Sequence, residues 1–150
     1  MNFRLIWIIL LVQTLIYLQL MQNPRRLYKE LGNLFYAIAA ADKIIRQEEK
    51  KTLHEEIIFA WKHYEDSQDR FGSDRAFLIE FEFESLEEES VTAESAYLLF
   101  EQYFQDNGRE LDHACRVKIF NSARHIAESV RKINLEELHY LTRLKSLLNI

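Results

Sequence analysis

The sequence predicts an all-α protein, a compact bundle of about six helices preceded by an apolar amino-terminal helix. Three observations carry that prediction. Glycine and proline together supply only four of the 150 residues, too few for the turns that a sheet requires. Apolar residues make up 48% and charged residues 29%, a balance that suits a folded domain and excludes a disordered chain. Apolar side chains also return every three to four positions in one segment after another, the period of a helix with one buried face. At this length a single core buries roughly 70% of the unfolded surface.

Two regions differ in character: residues 1–22 form an apolar segment and residues 23–150 a helical domain. Leu5 to Met21 reads LIWIILLVQTLIYLQLM, seventeen residues without a charge. Arg4 precedes it and Arg25, Arg26 and Lys29 follow, a pattern that predicts a membrane anchor over 5–21 with the domain on the cytoplasmic side. Gln13, Thr14 and Gln19 interrupt the run, and it lacks the Gly and Ala that membrane helices use for close packing. Two other readings stay open: a true start at Met21, leaving a cytoplasmic protein, and a helix buried in the core or an interface.

The domain is predicted to begin at Asn23-Pro24, a cap followed by proline in the first turn. Leu27, Leu31, Leu34, Phe35, Ile38 and Ala41 then mark one face of the first helix, and Ala37, Ala39 and Ala40 admit a close neighbour. A second helix runs from about Gln47 to Tyr64 on Leu53, Ile57 and Trp61, with Glu48, Glu49 and Glu56 contributing acid. Phe71-Gly72-Ser73-Asp74 reads as a turn. In the following FLIEFEFESLEEE, Ile79, Phe81 and Phe83 alternate with Glu as in a strand, but no second alternating run exists to pair with it. A helix on Ala76, Ile79, Phe83 and Leu86 is predicted instead.

Thr92 caps a fourth helix on Ala93, Ala96, Tyr97, Phe100 and Phe104, ended by Asn107-Gly108. A fifth spans about Leu111 to Val130, with Cys115, Ile119, Ala123 and Ile126 inward. Asn134-Leu-Glu-Glu137 is a capping box that opens the last helix, whose stripe is Leu138, Leu141, Leu144 and Leu148.

The net charge is −5, so the dominant basic face that a nucleic-acid partner demands is missing. Seven Glu fall between Glu80 and Glu94 with no Lys or Arg, which reads as a solvated face or a surface for a cation or basic partner. Cys115 is the single cysteine, so no internal disulfide or thiolate cluster can form. His54, His63 and His125 stand without the Ser or Cys that a triad requires.

Leu31–Glu49, LGNLFYAIAAADKIIRQEE, resembles the TerB-like (tellurite-resistance) family. In that family the first helix ends in an Ala-Asp-Gly turn, followed by Ile and a Glu-Glu pair opening the next helix; Ala41, Asp42, Ile45, Glu48 and Glu49 occupy those places. Lys43 replaces the turn glycine. Ser129–Glu137 (SVRKINLEE) aligns without gaps on Ala41–Glu49 (ADKIIRQEE), as expected of a family built from two degenerate helical halves, although Val130 stands where a second Asp is expected. The resemblance implies a non-enzymatic binding or scaffold module of a bacterial stress response, with a protein partner, at the cytoplasmic side of the inner membrane. It also implies a divalent cation, Ca²⁺ or Mg²⁺, held by Asp42, Glu48 and Glu49.

Two alternatives compete with that reading. Glu110/His113 and Glu136/His139 are ExxH pairs, each placing a carboxylate and an imidazole on one helix face, as a metal-dependent enzyme would need. They open consecutive helices, which sets them near opposite ends if those helices are antiparallel. The other alternative is a structural helical homodimer formed through the apolar segment.

Overall fold

The computed structural model describes residues 2–64 and 75–150, and of residues 19–24 the backbone alone. Among the described residues every regular element is helical. Helix α1 spans Phe3–Ala39, α2 Gln47–Glu56, α3 Leu78–Glu88, α4 Ala93–Asn107, α5 His113–Glu128 and α6 Leu135–Leu148. The turn predicted at Phe71–Asp74 lies outside the described residues.

The carboxyl-terminal half of α1 is the centre of the bundle. Leu27 and Tyr28 are buried, and from Leu31 to Ala40 every residue is buried, so this last stretch has no solvent face. It packs chiefly against α3 and α4, then against α5 and α6. The crossing with α3 is close enough to require glycine. A Cβ on Gly32 would lie 2.7 Å from both the Ile79 carbonyl oxygen and Glu82 Cβ.

Nothing breaks α1 at Asn23-Pro24. The expected helix start there is replaced by a single helix of 37 residues. Proline within a helix removes one backbone donor at a cost of about 3 kcal/mol. Leu20, Met21 and Gln22 before it and Arg25, Arg26 and Leu27 after it are residues of strong helical preference and favour continuation. The apolar segment is therefore the first half of α1, and no separate helix precedes the bundle. Among the described residues, no helix is long and apolar enough to cross a membrane.

Helix α2 changes character at Ile57. Residues Ile57–Trp61 form a π-helical turn, closed by Lys62 N–H donating to the Ile57 carbonyl at 2.7 Å. The wider turn carries Trp61 into the core, where its Nε1 donates to Ser122 Oγ at 3.0 Å. The Ser122 hydroxyl in turn donates to Glu56 at 2.7 Å, and His125 holds the other Glu56 oxygen. That chain fastens α2 to α5.

Thr92 and Asn134 cap α4 and α6 as expected, accepting from Ser95 N–H at 3.2 Å and Glu137 N–H at 2.8 Å. Asp112, not Leu111, opens α5 by accepting from Cys115 N–H at 2.8 Å. Gly108 is not a left-handed terminator, since its φ is −59° and the chain continues into a short 3₁₀ turn. Its requirement is spatial, because a Cβ there would meet the Phe104 ring at 2.9 Å. In the α6 stripe Leu138 is 49% exposed, and buried Tyr140 takes its place.

Arg116 ties three chain segments together. Its guanidinium donates to the carbonyls of Gly108 (2.7 Å), Leu111 (3.0 Å) and Leu148 (3.0 Å) and covers the Phe104 ring. Cys115 is buried, and burial pushes its thiol above the usual range, as suits a small core residue.

Candidate functional site

The turn after α1 and the start of α6 meet in a cluster of ionisable groups. Asp42 Oδ1 accepts from the Ile44 N–H at 3.1 Å, closing a local turn. Its Oδ2 accepts from Arg46 at 2.9 Å and from Asn134 Nδ2 at 3.2 Å, so one carboxylate joins the two halves of the chain. Lys43, between them, is left-handed with φ 68°.

Two buried glutamates flank this link. Glu49 Oε2 accepts from Arg46 N–H at 2.7 Å at the start of α2. Glu137 Oε2 accepts from Asn134 N–H at 3.0 Å at the start of α6. Position 46 aligns on 134 and position 49 on 137 in the internal repeat, so equivalent residues do equivalent work at two helix starts. Asn134 returns the bond through its own carbonyl oxygen, whereas Arg46 has no acceptor to return one. Burial pushes the Glu49 carboxyl up to about 7, against the pull of the Arg46 backbone bond and charge. Burial also raises Glu137, and nearby Asp42 adds to the rise.

This cluster opens on a cleft of about 420 Å³ lined by Asp42, Arg46, Val130, Arg131, Lys132 and Glu137 among others. Of the three residues expected to hold a cation, Asp42 and Glu49 are engaged in the bonds just described. Glu48 is exposed. The cation reading missed Arg46, Asn134 and Glu137, which supply the neighbours that Asp42 and Glu49 actually have. Among the described residues no group of three or more His, Cys, Asp or Glu side chains could hold a metal ion. That covers the ExxH pairs as well: Glu110 ends the 3₁₀ turn before α5 while His113 opens α5, Glu136 and His139 lie in the first turns of α6, and all four are exposed and do not assemble.

A larger cleft, about 590 Å³, lies where the end of α1 faces the α3–α4 corner. Ala40, Ala41, Val91 and Ala93 contribute apolar surface, while Lys43, Glu87 and Glu94 contribute charge. The Tyr36 hydroxyl donates to the Val91 carbonyl at 2.6 Å and fixes the corner. Glu94 accepts from Arg143 at 2.7 Å and from the Tyr140 hydroxyl at 3.0 Å; the Arg143 bond holds its carboxyl below the usual range. Arg143 lies 4.2 Å from the Tyr97 ring centre.

No protein-family profile matches this chain, no curated protein matches it, and no solved structure matches it. The reading of function therefore rests on the chain's own residues.

The acidic run is less acidic in space than along the chain. Glu80 pairs with His54 at 3.1 Å, Glu87 with Lys50 at 2.6 Å, and Glu94 with Arg143. Glu84, Glu88 and Glu89 are exposed. Glu82 packs beside Gly32. Partners drawn from α2 and α6 thus divide the run into a partnered set and a solvated one, which could not be read from the local sequence.

Proposed function

We propose that this chain is a non-enzymatic, TerB-like helical module, held at a membrane by the first half of α1 and receiving a protein partner at the cleft beside the α3–α4 corner. The tether is carried by one observation. From Phe3 to Leu18 every large apolar side chain but the half-buried Ile6 is exposed, Trp7 to 70% and Leu11 to 62%, on every side of the helix. A helix that is apolar all round needs an apolar environment, since each Å² left in water forgoes roughly 25 cal/mol. Arg25, Arg26 and Lys29 follow it on the domain side, which favours lipid as the cover and the cytoplasmic face of a bacterial inner membrane as the place. The proposal is insertion into the bilayer; it does not require the helix to cross.

The TerB-like reading is supported by two features of the turn. Lys43 occupies the family's glycine position and has the positive φ that glycine adopts without strain. The aligned residue pairs 46/49 and 134/137 cap two helices around one Asp42 link, as two related halves would. A binding role, rather than catalysis, is supported by where the polar groups are spent. Asp42, Glu49, Glu137 and Glu94 each hold a cap or an ion pair. The larger cleft, with its small apolar residues beside Lys43 and the ion-paired Glu87 and Glu94, suits a partner segment that presents an apolar side chain.

Fractionation of cells that make the full chain tests the tether. The chain is expected in the membrane pellet, released by detergent and resistant to high salt, while Ile8→Glu/Leu11→Glu/Leu15→Glu moves it to the supernatant. Recovery of the unaltered chain as a soluble dimer would overturn the tether. The same exposed apolar helix would then support a structural homodimer.

A further inference from the structure

Where α1 leaves its exposed apolar half and enters the domain it carries Arg25, Arg26 and Lys29, all exposed. Arg25 and Lys29 are four residues apart and share one face of the helix. Helix α3 approaches that region, and Leu78, Phe81 and Glu82 join the three basic residues around a groove of about 410 Å³. Phe81 is 69% exposed, an aromatic ring presented to solvent beside three cations. The Arg26 guanidinium also lies 5.4 Å from the Tyr103 ring centre.

We infer that this groove docks on the headgroups of anionic phospholipids in the bilayer that α1 enters. The inference rests on the tether proposed above and adds the lipid class. Arg25 lies about 10 Å of helix beyond Leu18, within reach of the headgroup layer for a long side chain. Guanidinium and ammonium groups donate to phosphate oxygens. An aromatic ring at the same level matches the preference of such rings for the membrane–water boundary. Glu82 in the groove and Glu30, which interacts with Arg26 and Lys29, offset two of the three positive charges and leave the site a net single cation.

Flotation of the full chain with phosphatidylcholine vesicles, with and without phosphatidylglycerol, separates the two claims. Binding to the neutral vesicles reads the tether, and the preference for the anionic ones reads the groove. The anionic lipid is expected to tighten binding by about fivefold for each basic residue engaged, and the gain should shrink as salt rises. Arg25→Gln/Lys29→Gln, changes at exposed positions, should remove most of that preference and leave neutral binding as it was. Phe81→Ala should weaken binding to both vesicles. Equal binding to both by the unaltered chain, or a preference that the double variant keeps, overturns the docking and leaves the tether standing. Anionic preference without neutral binding sinks the tether and keeps the docking. Binding to neither removes both.

Discussion

Single residues decide how the turn between α1 and α2 behaves. Lys43 has φ 68°, a conformation that costs a residue with a Cβ roughly 1 kcal/mol. Lys43→Gly should therefore raise stability by about 0.5–1 kcal/mol, less the entropy that glycine adds to the unfolded chain; denaturant melts of the two chains measure it. Glu49 is a second decisive residue. Its carboxyl titrates near 7 in the fold and near 4.5 in the free side chain, because burial disfavours its charge. The unfolded chain then releases its proton first, so stability falls as pH rises from about 4.5 to about 7. Glu49→Gln keeps an acceptor for the Arg46 N–H and should flatten that part of the stability profile. Asp42 bears on the cation question. Both of its oxygens already accept hydrogen bonds, so Ca²⁺ and Mg²⁺ should leave the melting temperature unchanged. A saturable rise that Asp42→Ala abolishes would restore the cation reading.

Among the elements, the α1–α3 crossing leaves no room for a side chain at position 32. The two atoms nearest a new Cβ at position 32, the Ile79 carbonyl oxygen and Glu82 Cβ, both lie at 2.7 Å and neither can rotate away. Gly32→Ala should cost about 1–3 kcal/mol, measurable as a lower midpoint in urea, even though alanine is the better helix former. That glycine shows what the sequence hid. Spacing identified the buried faces of α3, α4 and α5, because apolar period and burial are the same fact seen twice. It also found the Thr92 and Asn134 caps, whose bonds are made within three residues. Contacts between distant segments left no local signal. Gly32 against Ile79, Arg116 on three carbonyls and Trp61 on Ser122 are of that kind. The candidate site was legible by halves: Asp42 and Glu49 stood out in a motif, while Glu137 was visible only as a cap and Arg46 not at all. Pro24 misled for the opposite reason, since its local preference for a helix start yields to the helix continuing on both sides.

At the scale of the molecule, α1 is both the part that projects and the part around which the domain is packed. Tyr36 near its far end lines the larger cleft, about 27 Å of helix beyond Leu18, with Ala40 and Ala41 just past the helix end. A flexible linker would let the domain wander over a range that grows with the square root of its length. An unbroken helix acts instead as a ruler with a fixed heading. Each residue inserted between 18 and 25 would lengthen it by about 1.5 Å and turn everything beyond by about 100°. One inserted alanine should therefore leave the melting of the domain unchanged while rotating the groove at Arg25 and Phe81 away from its original bearing, and four should nearly restore it. Attachment and orientation are thus a single variable in this chain, set by counting residues along one helix.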